Sequence, residues 1–264
     1  MTDKILMLGA GRMGGALLKG WAINESVDPA FVLIRDPHPS PEALAAAAAG
    51  AVLNPSDAAL DQVGVVLLAV KPQLWRSVVS TLPDLPGDAI IVSIAAGVRS
   101  ADIAAAFGGR RVARVMPTTG VAIGKGVASI FSADPGARSL AHALFDPVAT
   151  TVDLADEDLM DAATAVSGSA PAYLYAFIEA LETAGAAHGL DAADAKRLAR
   201  ATITSAVALL ELSGEEPAEL RRQVTSPGGT TEAALKVLMG EAGLPDLMDK
   251  AVAAAIRRSK ELSA

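Results

Sequence analysis

The sequence predicts an α/β protein in which residues 1–155 form a doubly wound, mostly parallel sheet and residues 156–264 form an all-helical domain. Apolar runs typical of buried strands alternate with helical patterns through the first part of the chain. From Asp156 onward this alternation stops, and apolar residues recur at three- and four-residue spacing. A chain of 264 residues also exceeds the usual size of a single core, which favours two domains.

The first strand and the turn after it carry the strongest signal. Residues 5–8 are an unbroken apolar run, and Gly9, Gly11 and Gly14 follow at G-x-G-x-x-G spacing before a helical pattern starts at Ala16. In such a turn the first glycine allows the tight bend, the second lets the backbone approach a pyrophosphate, and the third lets helix and strand pack closely. The free N–H groups at the helix start then face the phosphates. The segment predicts a Rossmann-type dinucleotide site.

The second predicted strand, residues 31–34, ends in two charged residues that bear on the choice of cofactor. Asp36 follows Gly14 at about the 20-residue spacing at which an acidic side chain binds the adenosine ribose. Arg35 could instead hold the 2′-phosphate of NADP, with help from His38. A solvated loop without a cofactor role is the third interpretation. We expect NADP(H), with NAD(H) as the alternative.

Further strands are predicted at residues 63–70, 89–94, 112–116, 127–131 and 150–154, with a helix at residues 41–49. Two of these strands lead into turns of interest. One runs into Lys71 and Pro72, and another into Ala95 and Ala96. Ligands of doubly wound sheets bind at the carboxyl ends of the strands, so both turns should lie beside the cofactor. The small alanines would let a flat ring come close.

The helical part contains one helix with more apolar surface than a small domain can bury. Asp191 is expected to cap this helix, which ends near Gly214. It has two apolar stripes, formed by Leu198, Ala206 and Leu209 on one side and by Ile203, Val207 and Leu210 on the other. An apolar surface this wide implies a partner subunit.

A glycine-containing segment within the helical part is a candidate anion site. It includes Ser226, Gly228, Gly229, Thr230 and Thr231, and a helical run follows immediately. Exposed backbone N–H groups at that helix start would suit a carboxylate. A plain capped turn is the alternative interpretation.

Composition excludes several classes of function. The net charge of −8 and the absence of a basic run argue against nucleic acid as a partner. The sequence has no cysteine, which excludes disulfides, thiolate catalysis and cysteine-bound metal, and we predict no metal site. A strand that begins near residue 4 leaves no room for a signal peptide, and no apolar stretch is long enough to span a bilayer. We therefore expect a soluble, cytoplasmic protein without membrane partners.

The side chains available also restrict the chemistry. Reduction of a carbonyl requires a proton donor such as a Tyr–Lys or His–Asp pair. None of the three histidines, His38, His142 and His188, belongs to a recognisable acid/base arrangement, and Tyr173 and Tyr175 are interpreted as core residues of an apolar helix. Imine reduction needs less help, because a protonated C=N nitrogen already carries the charge that hydride neutralises.

Six motifs together resemble those of the pyrroline-5-carboxylate reductase family, in the family's order and over essentially the whole chain. They are GAGRMGG at residues 9–15, AVKPQ at 69–73, SIAAG at 93–97, RVMPTT at 114–119, SGSAPAY at 167–173 and VTSPGGTT at 224–231. Two departures stand out. Residues 118–120 are Thr-Thr-Gly where the family usually has Asn-Thr-Pro, and Ala170 replaces a usual glycine.

The resemblance implies roles for individual residues in the reduction of 1-pyrroline-5-carboxylate to L-proline. The cofactor would be held by Gly9, Ala10, Gly11, Arg12, Met13, Gly14, Asn54, Ala69, Val70, Lys71, Pro72, Ala95 and Ala96. Glu157 would lie near the bound ligands, residues 226–231 would bind the substrate carboxylate, and the Thr231 hydroxyl would contact the ring nitrogen as the catalytic group.

The resemblance also implies an intertwined homodimer built by the helical domain, with further assembly in some members. Two other hypotheses remain at this point. One keeps the fold but changes the substrate to another cyclic imino acid. The other is a non-catalytic dinucleotide sensor that dimerises through its helices, which the carboxylate-binding segment at residues 226–231 disfavours.

Overall fold

A computed structural model describes residues 3–263 of the chain. Its strands form one eight-stranded sheet in the order β3-β2-β1-β4-β5-β6-β7-β8. Strands β1 to β6 run parallel, β7 is antiparallel to β6, and β8 is parallel to β7. The strands are β1 (Lys4–Leu8), β2 (Val32–Arg35), β3 (Val52–Leu53), β4 (Val63–Leu68), β5 (Ile90–Ser93), β6 (Val112–Pro117), β7 (Gly126–Phe131) and β8 (Ala149–Asp153).

Helices lie between these strands, and after β8 the chain continues as helices. The helices between strands are α1 (Arg12–Ile23), α2 (Pro41–Ala48), α3 (Trp75–Val79), α4 (Ser100–Ala106) and α5 (Pro135–Phe145). After β8 the chain forms α6 (Met160–Ala163), α7 (Ala170–Ala187), α8 (Ala192–Ser213), α9 (Pro217–Gln223), α10 (Thr230–Leu238) and α11 (Leu244–Ser263). The predicted class, a doubly wound α/β domain followed by helices, is confirmed.

The contacts within the chain divide it into two compact units. The first runs to Gly168 and includes the chain from Ile256 onward, and the second is Ser169–Ala255. We call them the sheet unit and the helical unit. The predicted boundary at residue 155 marks the change from alternating strands and helices to helices alone, and it stays a prediction. None of the described helices is long and apolar enough to cross a membrane.

The two faces of the sheet carry separate buried clusters because alternate strand residues point to opposite sides. In β1, Ile5 and Met7 belong to one cluster, and Leu6 and Leu8 to the other. All four side chains have no exposed surface, as a strand covered on both faces requires. On the first face Trp21 is buried, and its indole N–H donates to the Leu144 carbonyl at 2.8 Å. The sheet therefore holds the turns at its carboxyl edge on a rigid support.

The helical unit, in contrast, buries few of its side chains within one chain. The start and end of α8 are as predicted: Asp191 accepts from the Ala193 amide at 2.9 Å, and Gly214 follows in the left-handed region at φ 65°. Ala195 and Ala199 are the buried residues of α8, and α7 has none. The interpretation of Tyr175 as a core residue is wrong for the single chain, where it is 63% exposed.

Candidate functional site

In the turn between β1 and α1, two positions have room only for glycine. Gly9 has φ +90°, and a Cβ there would lie 2.8 Å from Cγ1 of Val70 and 3.0 Å from the Ala69 carbonyl oxygen. At Gly14 a Cβ would lie 2.5 Å from the Gly9 carbonyl oxygen, so α1 packs directly on the turn. At both positions a side chain would collide with backbone atoms or with a packed side chain. The close packing of helix on strand predicted for Gly14 is present.

The start of α1 is open, as a phosphate site requires. A Cβ at Gly11 would meet nothing within 4 Å, so this position faces free space. Gly11 caps α1 without a side-chain hydrogen bond, and Arg12 and Met13 begin its first turn. The N–H groups of a first helical turn have no acceptor inside the helix. This turn therefore fits the pyrophosphate of a dinucleotide.

Asp36 ties the end of β2 to the glycine turn. Its Oδ2 accepts from the Ala10 amide at 2.6 Å, and its Oδ1 accepts from the His38 amide at 2.8 Å. Asn54, which has φ +47°, brackets the same residue: its side-chain oxygen accepts from the Asp36 amide at 3.0 Å, and its side-chain nitrogen donates to the Asp36 carbonyl at 3.1 Å. The structure thus brings Ala10, Asp36 and Asn54 together at one corner of the sheet.

Arg35, the neighbouring candidate, is turned toward a different partner. Its guanidinium pairs with the carboxylate of Asp57, the first residue of a short 3-10 helix (Asp57–Gln62), and it lies 3.5 Å from the Pro55 carbonyl oxygen. No pattern in the sequence pointed to Asp57. The roles of Arg35 and Asp36 in binding a cofactor stay predictions.

The turns after β4 and β5 lie at the same edge of the sheet, because these strands are parallel to β1. The Ala69 amide donates to the Leu8 carbonyl at 2.8 Å, which places the segment Ala69, Val70, Lys71 and Pro72 beside the glycine turn. After β5, Ala95 is buried and Ala96 is exposed. The predicted cofactor residues of the sheet unit therefore cluster along one edge.

Glu157 forms the most buried charged contact of this unit. Its carboxylate accepts from the Ser100 amide at 2.7 Å, from the Ser100 hydroxyl at 2.8 Å and from the Arg114 guanidinium at 2.7 Å. Burial raises the pKa of Glu157, but the hydrogen bonds from Ser100 and Arg114 outweigh it and hold the pKa below its ordinary range. The carboxylate therefore stays ionised and fixes the start of α4. Its expected position near the ligands stays a prediction.

The departure from the family motif at residues 118–120 has a structural setting. The Thr118 hydroxyl accepts from the Val127 amide at 3.0 Å, and the Thr118 amide donates to the Val127 carbonyl at 2.9 Å. Thr118 thus joins the end of β6 to β7. At Gly120 a Cβ would lie 2.5 Å from the Lys125 carbonyl oxygen, so this turn admits no side chain there without moving.

The predicted substrate segment forms the start of α10 in the helical unit. Gly228 has φ +69°, its amide donates to Oε2 of Glu232 at 2.5 Å, and the Gly229 amide donates to the Ser226 carbonyl at 3.0 Å. The exposed N–H groups expected in this segment are therefore not those of Gly228 and Gly229, which both have partners. Glu232, in the first turn of α10, thus accepts from the residue that precedes the capping residue Gly229.

The donors left at this helix start belong to the next residues. Gly229 caps α10 without a side-chain hydrogen bond, so the amides of Thr230 and Thr231 open the helix. Thr231 is half-buried, and among the described residues its hydroxyl has no hydrogen-bond partner. The segment thus offers three backbone donors, the amides of Thr230, Thr231 and Glu232, together with the positive end of a helix dipole and one hydroxyl group.

One histidine and two aspartates form a cluster that no sequence pattern indicated. His142 Nδ1 lies 3.0 Å from Asp146 Oδ1, and its Nε2 lies 3.2 Å from Asp153 Oδ1. The contact with Asp146 raises the pKa of His142. Asp153 ends β8, which runs opposite to β1, so the cluster belongs to the edge of the sheet away from the glycine turn. No group of metal-binding side chains occurs among the described residues.

A doubly wound sheet with an open glycine turn, joined to a helical unit, defines a two-domain dinucleotide-binding protein of the Rossmann class. The comparisons with known proteins narrow this class. Residues 4–97 match the family model "NADP oxidoreductase coenzyme F420-dependent", and residues 157–262 match "Pyrroline-5-carboxylate reductase dimerisation".

Relatives of known name match over nearly the whole chain. A pyrroline-5-carboxylate reductase of Pisum sativum is 37% identical over 261 residues, which cover 97% of this chain and 94% of the relative. The enzyme of that name from Pseudomonas aeruginosa is 38% identical over 268 residues, covering 99% of this chain and 97% of the relative. The chain belongs to the pyrroline-5-carboxylate reductase family.

Solved structures agree with this assignment. A pyrroline-5-carboxylate reductase from Coxiella burnetii superposes with a TM-score of 0.89 at 31% identity and covers 100% of both chains. The pyrroline carboxylate reductase of Plasmodium falciparum, solved with NADP bound, gives a TM-score of 0.83 at 25% identity and covers 100% of this chain and 99% of the other.

Proposed function

We propose that this chain reduces the C=N bond of 1-pyrroline-5-carboxylate to L-proline, the last step of proline biosynthesis, with NADPH as the cofactor and NADH as the alternative. The observation that carries the proposal is the full-length match to relatives of that name. The open glycine turn supports it, because its geometry suits a dinucleotide pyrophosphate.

The bound cofactor supplies the hydride, and the chain supplies binding and orientation. In the sheet unit, the first turn of α1 holds the pyrophosphate, and the small residues Ala95 and Ala96 leave room for a flat ring. In the helical unit, the amides of Thr230 and Thr231 and the dipole of α10 attract the substrate carboxylate.

Thr231 would serve the ring nitrogen of the substrate. A hydroxyl donates to a neutral imine and accepts from a protonated one, so it can contact the nitrogen throughout the reduction. Threonine is a poor acid, so its role is to orient and polarise rather than to supply the proton. A protonated imine already carries the charge that hydride neutralises, which is why no stronger acid is required at this position.

The helical unit would assemble this chain into a homodimer, with higher oligomers as an extension. Support comes from the match of residues 157–262 to a dimerisation model and from the exposure of Val207, Leu209 and Leu210 at 51%, 57% and 40%. Apolar side chains on one helix at this exposure favour burial against a second copy. We retain the expectation of a cytoplasmic protein with no nucleic-acid or membrane partner.

The test is the loss of the reduced-nicotinamide absorbance with purified protein and 1-pyrroline-5-carboxylate. We expect turnover with NADPH, and proline as the product by chromatography. Piperideine-2-carboxylate tests the alternative of a six-membered cyclic imino acid, and 3-hydroxy acids with oxidised cofactor test dehydrogenase activity. Faster turnover of either class than of the five-membered imine would contradict the proposal, and cofactor binding without any turnover would favour the sensor hypothesis.

A further inference from the structure

At the adenosine end of the predicted cofactor site, the guanidinium of Arg35 already forms an ion pair. Arg35 ends β2, and its guanidinium pairs with Asp57 through Nη2. The Arg35 side chain is 22% exposed whereas that of Asp57 is 69% exposed, so the arginine lies under the carboxylate that covers it. The Pro55 carbonyl oxygen, 3.5 Å from the same nitrogen, adds a second acceptor.

Asp36, the second carboxylate at this corner, bonds to the backbone rather than to Arg35. Both oxygens of Asp36 accept backbone N–H groups, from Ala10 and from His38. Asp36 therefore does not neutralise Arg35, and it keeps its negative charge beside the glycine turn. The formal charges of the two carboxylates and the guanidinium, Asp36, Asp57 and Arg35, sum to about −1 at this corner.

This charge pattern opposes the group that distinguishes NADPH from NADH. A phosphate monoester carries a charge of about −1.5 to −2 at neutral pH, and an arginine binds it best when no carboxylate already occupies the guanidinium. Asp57 and the 2′-phosphate are both anions, and both would compete for the guanidinium of Arg35. NADH has no such phosphate and would not depend on this pair.

We infer that Asp57 is a specificity-determining residue, which holds Arg35 and thereby lowers the affinity for NADPH relative to NADH. The inference rests on the proposed function only in assuming that the glycine turn binds the cofactor pyrophosphate, which puts the adenosine ribose at the end of β2. The juxtaposition of Arg35 and Asp57 carries it, together with the commitment of Asp36 to the backbone.

The test is a cycle of binding measurements on the full chain without substrate. Dissociation constants for NADPH and NADH, from titration of the reduced-nicotinamide fluorescence, are compared for the wild type, Asp57→Asn, Arg35→Ala and the double variant. Releasing a surface cation from its partner is worth about 1 kcal/mol, so Asp57→Asn should tighten NADPH about fivefold and change NADH less than about twofold. In the Arg35→Ala background the gain should fall below about twofold.

Asp61→Asn removes a carboxylate from the same short helix and serves as the control for net charge. It should leave both affinities unchanged. Asp57→Ser, which keeps a short polar side chain, should repeat the result of Asp57→Asn and so exclude an effect of the asparagine itself.

Three results would overturn the inference: equal tightening of both cofactors, no tightening of NADPH, or the same gain with and without Arg35. The last would mean that Asp57 acts by direct repulsion of the phosphate. Absence of imine reduction alongside the expected cofactor preference would contradict the proposed function and leave this inference standing.

Discussion

Arg114 and Glu157 form a buried ion pair, with Nη1 and Oε1 2.7 Å apart and side chains only 8% and 9% exposed. The pair joins β6 to the short 3-10 helix Glu157–Leu159 that follows β8, and Ser100 adds the start of α4. Three segments that are distant in sequence thus share one carboxylate, close to the turn that follows β5.

Glu157→Gln should lower the free energy of unfolding by about 3 kcal/mol at pH 7, because it leaves the Arg114 charge buried without its partner. The contacts lower the pKa of Glu157, so its contribution is fully present above the ordinary value of about 4.5 and is lost as the pH falls through the lower folded value. The difference from wild type should therefore shrink below about pH 4.5. Denaturant unfolding followed by circular dichroism measures it.

Asp158→Asn is the matched control. Asp158 pairs with Arg99 at 2.8 Å, but its side chain is 73% exposed, and exposed pairs contribute about 0–1 kcal/mol. A loss for Glu157→Gln no larger than that of Asp158→Asn would show that the buried pair does not stabilise the sheet unit.

Thr231→Val tests the predicted catalytic hydroxyl. It keeps the shape of the side chain and removes a hydrogen bond worth roughly 1.5–3 kcal/mol, so kcat/KM for the imine should fall about 10- to 150-fold. The NADPH dissociation constant should not change, because Thr231 belongs to the helical unit and the glycine turn to the sheet unit. Thr230→Val should have a smaller effect. If Thr231→Val kept kcat/KM near the wild-type value, water or another group would have to contact the ring nitrogen of the substrate.

Glu232→Gln should improve substrate binding. The Glu232 carboxylate accepts from the Gly228 amide at 2.5 Å and places a negative charge where the substrate carboxylate is expected. Glutamine keeps the hydrogen bond without the charge, so the KM for the imine should fall about fivefold at constant kcat, as the removal of about 1 kcal/mol of repulsion predicts. The control Glu241→Gln removes the charge of an exposed carboxylate that follows the same helix, and it should leave KM unchanged. An unchanged or higher KM for Glu232→Gln would refute this placement of the substrate.

Val207→Glu tests the proposed dimer. Val207 is 51% exposed in the single chain, and a charge buried there against a second copy would cost several kcal/mol. We expect dissociation to monomer by size-exclusion chromatography with light scattering, and retention of the dimer for the control Lys196→Glu near the start of the same helix. Val207→Ala should weaken the dimer more mildly. A dimer that survives Val207→Glu with its affinity intact would place the interface elsewhere.

Most of the sheet could be predicted from the sequence because its strands are apolar on both faces. β4 is an example: five of its six residues are buried, and a short run rich in valine is typical of a buried parallel strand. β3 was missed because it has two residues, Val52 and Leu53, and neither is buried. The ends of α8 were predicted correctly because Asp191 and Gly214 act through local backbone geometry.

The missed contacts are those that depend on the tertiary structure. Arg35 meets Asp57 only after β3 and its turn have folded beside β2, and no spacing rule relates the two residues. Likewise His142 meets Asp153 across the end of β8. Glu232 also meets Gly228 without a capping-box signal, since the capping residue Gly229 has no side chain and the bonded amide belongs to the residue before it.

The burial of Trp21 against the Leu144 carbonyl has a practical consequence for optical experiments. The two tryptophans of the sequence, Trp21 and Trp75, both belong to the sheet unit and are 2% and 5% exposed. Emission excited selectively in the indole band therefore reports the sheet unit and not the helical unit, Ser169–Ala255. An unfolding curve recorded this way and one recorded by helical ellipticity should separate whenever the two halves melt independently.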